Sequence, residues 1–163
     1  MTVWSSKEVI KATGGKAQGT ENWAATSVSM DSRTVGAGDL FIALNGEHFD
    51  AHKFVADALD KGAVAAIVSS VPEGLPADAP LVVVEDTLDA MIDLGEFSRG
   101  RTGGKIIAVT GSVGKSSTKE MLAAAFDVQG QTHAAQGSYN NYLGVPYTLA
   151  SMHAGTDYGV FEI

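Results

Sequence analysis

Short apolar runs separated by turn residues dominate the first hundred residues. Runs of this kind, rich in β-branched and other apolar side chains, are typical of buried strands. They occur at residues 25–30, 39–44, 64–68 and 81–84. Between them, residues 51–61 and 87–97 carry apolar side chains at helical spacing, which predicts two amphipathic helices. Strands that alternate with helices in this way indicate an α/β fold.

The composition changes near residue 100. Residues 99–104 read RGRTGG, a basic and glycine-rich stretch that predicts a domain boundary. We therefore assign residues 1–101 to a small N-terminal α/β domain and residues 102–163 to a second domain. In the second domain the pattern predicts a strand, a helix, a loop and a last strand, at residues 106–109, 115–126, 135–146 and 158–163. Parallel sheets normally contain more strands than this, so we expect the chain to be part of a longer protein.

Composition excludes several classes of function. The 163 residues are 45% hydrophobic, which is enough for a folded core, and carry a net charge of −8. An acidic chain is not suited to binding nucleic acid through bulk electrostatics. The chain has no cysteine, which excludes disulfides and thiolate metal sites, and no apolar run approaches the ~20 residues that span a bilayer. We expect neither a nucleic acid nor a membrane as partner, and a cytoplasmic location.

A glycine turn joins the strand at residues 106–109 to the helix that follows. Glycines there let the backbone approach a ligand, and the free N–H groups at the start of a helix attract anions. The predicted ATP phosphate-binding residues are Gly111, Ser112, Val113, Gly114, Lys115, Ser116 and Ser117. Lys115 would reach the terminal phosphates as the catalytic cation, and a hydroxyl at Ser116 or Ser117 would bind Mg²⁺.

This turn departs from the standard phosphate loop, because two residues rather than four separate its glycines. The alternative is a plain glycine turn with an exposed lysine, but the strand before it, the helix after it and the paired serines favour a phosphate loop. Glu162 is the second candidate metal ligand, since it lies in the otherwise apolar residues 158–163. A carboxylate at the end of such a strand could hold Mg²⁺ or simply face solvent.

The residues from Thr110 to Glu120, TGSVGKSSTKE, resemble the phosphate loop of the Mur ligase family, which also has two residues between its glycines. Further segments resemble the same family along nearly the whole chain. They are DSR at residues 31–33, GDLFIAL at 38–44, GEHFDAHKF at 46–54, VEDTL at 84–88, YNN at 139–141, GVPYTL at 144–149 and VFE at 160–162. Several motifs in the same order are more specific than any one of them.

The resemblance implies an ATP-dependent ligase of peptidoglycan synthesis that acts through an acyl phosphate. The segments match the family member that joins D-alanyl-D-alanine to UDP-N-acetylmuramoyl-tripeptide, which makes these two molecules the implied substrates. Members of the family have three domains, which bind the UDP end of the substrate, ATP with Mg²⁺, and the incoming amino acid or dipeptide. The chain would contain the first domain and the start of a phosphate-loop ATPase domain, so we expect it to be inactive alone.

The resemblance also implies substrate-binding residues. Ser32 and Arg33 would contact the uridine or its diphosphate, His52 would line the pocket, and Asn140 and Asn141 would approach the substrate or the phosphates. The residues themselves leave other interpretations open. Residues 31–33 also fit a strand-end turn with an internal salt bridge, His52 fits an ordinary helix start, and an Asn pair fits simple turn chemistry.

Two other functions stay open at this point. The first is another Mur-type ligase or a folylpolyglutamate-synthase-like enzyme; the folate enzymes lack the UDP-type first domain, and other wall ligases differ after residues 31–33. The second is a non-catalytic nucleotide-binding module that is complete at 163 residues.

Overall fold

The structure, a computed structural model, describes residues 1–46, 49–135 and 141–163. These residues form two compact units, Met1–Asp93 and Leu94–Ile163. Helices and parallel strands occur in both units, which confirms the predicted α/β class. The functional assignment of residues 1–101 and 102–163 to two domains stays a prediction. None of the helices in the described ranges has the length and apolar character that crossing a bilayer requires.

The first unit is built on a five-stranded sheet. The described strands of this unit are β1 (Trp4–Ser5), β2 (Lys16–Gln18), β3 (Ala24–Ala25), β4 (Ser27–Ser29), β5 (Asp39–Ile42), β6 (Asn45–Gly46), β7 (Phe49–Asp50), β8 (Ala65–Val68) and β9 (Leu81–Val83). Five of them form the main sheet, and β1 with β3 and β6 with β7 form two separate pairs. The helices of this unit are α1 (Ser6–Thr13), α2 (Val55–Asp60) and the first part of α3 (Thr87–Arg101). The strand order is β2-β9-β8-β5-β4, with β2 antiparallel and the other pairs parallel.

The core of the first unit lies against the middle of this sheet. Phe41, Ala66 and Val68 pack with Val55 and Ala58 of α2, and all five are fully buried. Every residue of β8 is buried, as expected for a central strand covered on both faces. A near-continuous apolar run is therefore the correct sequence signature for β8. The carboxyl end of β8 lies at the middle of the sheet's carboxyl edge, because β8 is the central strand.

The second unit contains a smaller parallel sheet. Its elements after α3 are β10 (Lys105–Val109), α4 (Lys115–Asp127), β11 (Thr132–Ala134), α5 (Gly144–Ala150) and β12 (Tyr158–Glu162). The strand order is β10-β12-β11. Helix α4 packs on β12 and β11, where the Phe126 ring stacks on the Tyr158 ring with centroids 4.6 Å apart. This packing aligns the start of α4 with the end of β10.

Three local predictions are wrong. Residues 51–61 do not form one α-helix, because Ala51–Phe54 is a 3-10 helix and the α-helical part, α2, begins only at Val55. The helix predicted to end at residue 97 continues to Arg101, since the buried Ser98 hydroxyl donates to a main-chain oxygen in the same unit. The loop predicted for residues 135–146 ends early, because α5 begins at Gly144 and accommodates a proline in its first turn.

Candidate functional site

The predicted phosphate loop lies between β10 and α4. Gly111 and Gly114 have φ angles of +146° and +78°, a backbone region that side chains rarely permit. Gly114 is the N-cap residue of α4, and a glycine has no side chain with which to cap the first turn. Since the first N–H groups of a helix have no intrahelical acceptor, they are available to an anion in the loop.

Lys115 contributes the local positive charge. Its Nζ atom donates to the main-chain oxygen of Gly111 at 2.9 Å, so the ammonium group lies over the loop. Val113 is 91% exposed at the tip, and its side chain makes no part of the loop's interior. The loop therefore presents main-chain groups and one ammonium group, which suits a polyphosphate.

Glu162 lies where the sequence predicts it, at the carboxyl end of β12 and beside the loop. In the parallel register it pairs with Val109, the last residue of β10, and the next residue's N–H donates to the Val109 oxygen at 3.0 Å. Its side chain is 97% buried, and its Oε2 atom accepts from the Ser116 hydroxyl at 2.9 Å. The interpretation of Glu162 as a solvent-facing carboxylate is therefore wrong.

The pair formed by Ser116 and Glu162 fits a Mg²⁺ ion. Both supply hard oxygen ligands, which Mg²⁺ prefers, and a buried carboxylate is costly without a cation or donors. Residues 1–46, 49–135 and 141–163 contain no group of three or more His, Asp or Glu side chains arranged to hold a metal. Mg²⁺ would thus take its remaining ligands from nucleotide phosphates and water, as is usual for this ion.

Lys119, one helical turn after Lys115, is a feature that the sequence pattern did not predict. It is fully buried, its Nζ atom donates to the Ala135 oxygen at 2.7 Å, and it lies 3.0 Å from a carboxylate oxygen of Glu120. The ammonium group thus fastens α4 to the chain just after β11. A lysine in the polar first half of α4, residues 115–120, gives no local sign of burial, because the acceptor lies 16 residues away.

Of the two predicted asparagines, Asn140 lies outside the described residues. The Asn141 carbonyl oxygen accepts the N–H groups of Leu143 and Gly144 at 3.2 and 2.7 Å, so it shapes the start of α5. The same helix is tied to β11, since the His133 Nε2–H donates to the Thr148 oxygen at 2.8 Å. Burial lowers the pKa of His133, against the hydrogen bond that raises it. The substrate role of Asn140 and Asn141 stays a prediction.

Ser32 and Arg33 follow β4 at the carboxyl edge of the first unit's sheet. The Arg33 guanidinium forms a two-point salt bridge with Asp31, with Nε–Oδ1 and Nη2–Oδ2 distances of 2.9 and 2.6 Å. The hydrogen bond from Arg33 lowers the Asp31 pKa from 3.8 to about 2. The internal salt bridge is thus present, yet the Arg33 side chain remains 86% exposed and can reach an anion.

His52 lies in the 3-10 helix after β7 and is only 6% exposed. Its Nδ1 atom is 2.7 Å from an Asp50 carboxylate oxygen, and its Nε2 atom is 2.8 Å from the Ser69 main-chain nitrogen. The main-chain and side-chain hydrogen bonds from His52 lower the pKa of Asp50. Ser69 carries no sequence signal of its own, because it contacts His52 across 17 residues.

Comparison with known proteins places these features in one family. Residues 24–99 match the Mur ligase family catalytic domain, and residues 109–163 match the Mur ligase middle domain. The UDP-N-acetylmuramoyl-tripeptide–D-alanyl-D-alanine ligase of Rickettsia prowazekii is 39% identical over 161 residues, which are 99% of this chain and 35% of that protein. The chain spans about a third of the length of the curated relatives it matches.

Solved structures agree with the sequence relatives. A crystal structure of MurF from Acinetobacter baumannii has a TM-score of 0.85 at 36% identity and covers 98% of this chain and 35% of its own. MurF ligase from Thermotoga maritima in complex with ADP has a TM-score of 0.65 at 29% identity, over 83% of this chain and 31% of its own.

Proposed function

Because the chain belongs to the Mur ligase family, we propose that it is the UDP-substrate-binding and ATP-binding part of a ligase that joins D-alanyl-D-alanine to UDP-N-acetylmuramoyl-tripeptide. One observation carries the nucleotide half of this proposal. It is the buried Glu162 carboxylate, hydrogen-bonded to Ser116 at the start of the helix that follows the glycine loop.

In the second unit, the loop residues 111–117 bind the ATP phosphates through main-chain N–H groups. Lys115 neutralises charge on the transferring phosphoryl group, where stabilisation of developing charge has its largest effect on rate. Ser116 and Glu162 would hold Mg²⁺, which when bound supplies charge neutralisation at the phosphates. The ADP complex of the Thermotoga maritima relative supports a nucleotide as the ligand.

In the first unit, the carboxyl edge of the parallel strands binds the UDP end of the substrate. Open α/β sheets bind ligands at this edge. Arg33 is exposed there, and its planar guanidinium suits two-point contact with a diphosphate. A diphosphate would compete with Asp31 for the same guanidinium, so binding would involve opening that salt bridge.

For the complete ligase we propose the reaction that the resemblance to Mur ligases implies. ATP phosphorylates the terminal carboxylate of the tripeptide, and the amine of D-alanyl-D-alanine attacks the acyl phosphate and displaces phosphate. Positioning two anionic partners supplies part of the rate. Since the chain spans about a third of the length of its relatives, we expect it to bind substrate and nucleotide without completing the reaction alone.

The substrate half is tested by titration calorimetry of this chain with UDP-N-acetylmuramoyl-tripeptide, with UDP-glucose as the control ligand. We expect preference for the muramoyl ligand and a roughly tenfold loss of affinity in Arg33→Ala, because a charge-assisted hydrogen bond is removed. Arg99→Ala, which removes another exposed arginine, is the matched control. Equal affinities for all three proteins would rule out Arg33 as a ligand of the diphosphate.

The nucleotide half is tested with Mg²⁺ and ATP. Lys115→Ala should weaken ATP binding by about tenfold or more, because one charge-assisted contact to the phosphates is lost. Lys105→Ala removes an exposed lysine from the other end of β10 and should leave the affinity unchanged. Loss of affinity in both variants to the same extent would indicate a general charge effect and not a phosphate loop.

A further inference from the structure

A chain of three side chains crosses the carboxyl edge of the first unit's sheet. Asp50 Oδ1 is 2.7 Å from His52 Nδ1, and His52 Nε2 is 2.8 Å from the Ser69 main-chain nitrogen and 3.1 Å from the Ser69 hydroxyl. Asp50 Oδ1 also accepts the main-chain N–H of His52 at 2.9 Å. The imidazole ring therefore links the 3-10 helix after β7 to the residue that follows β8.

These contacts determine the protonation of the ring. A main-chain N–H can only donate, so His52 Nε2 must be the acceptor from Ser69 and carries no hydrogen. The ring hydrogen is then on Nδ1, where it points at the Asp50 carboxylate. His52 is thus a neutral imidazole with both nitrogens engaged inside the protein, which suits its 6% exposure.

The same geometry argues against a hydrolytic triad, although Ser, His and Asp occur in the right order of contact. A general base needs the Nε2 lone pair for the serine hydroxyl proton. Here the shorter contact to Nε2 comes from the Ser69 main-chain N–H, at 2.8 Å against 3.1 Å for the hydroxyl. The Nε2 lone pair of His52 therefore accepts from the Ser69 main chain and is not available as a general base.

The Ser69 main chain, which the His52 ring holds, lies at the centre of the carboxyl edge that we propose binds the substrate. Strand β8 lies between β5 and β9, both parallel to it, so its carboxyl end opens between theirs. The Ala43 N–H donates to the Ile67 oxygen, and the Val84 N–H donates to the Val68 oxygen, both within this edge. Beyond Val68 the ladder stops, and the next main-chain N–H, that of Ser69, is directed to the His52 ring.

We propose that His52 is a positioning residue for substrate binding: its neutral, Nδ1-protonated ring holds the Ser69 main chain so that the chain leaving β8 shapes the pocket for the UDP end. This proposal rests on the proposed function of the first unit. In this proposal His52 does not contact the ligand, so its effect on binding passes through Ser69. The two ring nitrogens have separate roles, because Nδ1 faces Asp50 and Nε2 faces Ser69.

The test uses two amide substitutions in the 163-residue chain. In His52→Asn the side-chain amide nitrogen lies near the former Nδ1 position and still donates to Asp50, but no acceptor reaches Ser69. In His52→Gln the amide oxygen lies near the former Nε2 position and still accepts from Ser69. Affinity for UDP-N-acetylmuramoyl-tripeptide is measured at a temperature where circular dichroism shows all three proteins to be folded.

We expect His52→Asn to weaken binding by about tenfold or more, because a main-chain N–H loses its acceptor, and His52→Gln to remain within about threefold of the unchanged chain. NMR of histidine labelled with ¹⁵N should show the Nδ1–H tautomer for the signals that disappear in either variant. Equal affinities of the two variants, or an Nε2–H tautomer, would overturn the proposal.

The design separates this proposal from the function on which it rests. If the unchanged chain fails to bind the UDP ligand while showing the Nδ1–H tautomer, the proposed function of the first unit fails, and a substrate role for His52 fails with it. If the unchanged chain binds and both variants bind equally well, the function stands and the positioning role alone is wrong.

Discussion

The substitution Glu162→Gln tests the proposed metal site directly. Glutamine keeps the size of the side chain and an oxygen that can accept from the Ser116 hydroxyl, now 2.9 Å away, but it removes the charge. Because Glu162 is 97% buried and adjoins the last residue of β10, this charge lies close to any phosphate in the loop. Removal of this charge should therefore weaken ATP binding in the presence of Mg²⁺ and should not weaken it in the absence of Mg²⁺.

The magnitudes follow from the contacts. A hydrogen bond to a charged acceptor contributes about 1.5–3 kcal/mol and one to a neutral acceptor about 0.5–1.5 kcal/mol, so the bond with Ser116 weakens by about 1 kcal/mol. At 4 Å and an effective dielectric constant of about 20, each unit charge of a cation interacts with a carboxylate by about 4 kcal/mol before desolvation is counted. In the variant, a water molecule can take the place of the carboxylate as a Mg²⁺ ligand and recovers part of this energy. The expected loss in binding free energy is therefore at least about 1.4 kcal/mol, or tenfold in Mg²⁺–ATP affinity.

The assay is calorimetric titration with ATP, once in excess Mg²⁺ and once in a chelator. In Mg²⁺ the variant should bind at least about tenfold more weakly, whereas in the chelator it should bind as well or better, because a negative charge near the phosphates is gone. Asp127→Asn is the control, since it makes the same charge change at the far end of α4, ~18 Å from Lys115. An equal change in affinity with and without Mg²⁺ would refute the metal-ligand role of Glu162.

Three further predictions concern stability. Arg33 lowers the pKa of Asp31 from 3.8 to about 2, so the contribution of Asp31 to the free energy of unfolding is present above pH 3.8 and is lost as the pH falls through about 2. Asp31→Asn should therefore reduce the pH dependence of the free energy of unfolding in urea within that window. An unchanged pH dependence would contradict this. A Cβ at Gly104 would meet a backbone oxygen at 2.1 Å, whereas one at Gly103 would meet nothing within 4 Å. Gly104→Ala should therefore cost about 1–3 kcal/mol in thermal unfolding, and Gly103→Ala under about 0.5 kcal/mol. Lys119→Ala should destabilise by about 2–5 kcal/mol and Lys119→Met by less, because methionine fills the space of this fully buried side chain; equal losses would show that the lost charge, not the cavity, dominates.

Much of the fold could be predicted because its signals are local. Ser5 and Glu8 form a capping box at the start of α1, in which both reciprocal hydrogen bonds are present and join residues only three apart. The strand, glycine loop and helix around residues 111–117 are also local, since each glycine and the helix start act over a few residues. The position of Glu162 in a strand could also be predicted, because it lies in an otherwise apolar run, although its burial could not.

Short strands without a periodic pattern could not be predicted. Strand β2, at Lys16–Gln18, is three residues long and mostly exposed, and it exists because it pairs with β9 more than sixty residues later. Strand β11, at Thr132–Ala134, exists because it pairs with β12. In such strands the hydrogen bonds to the partner decide the conformation, and local propensity contributes little.

The sequence by itself determined the α/β class, and it predicted the phosphate loop and the residues proposed to bind phosphate and metal, because these predictions depend on residue type and close spacing. Only the tertiary structure decided which side chains are buried and what they hold. It buried Lys119 against an oxygen 16 residues away and joined His52 to Ser69 across 17 residues. The two long-range contacts depend on how strands pair and helices pack, and a linear pattern does not carry that information.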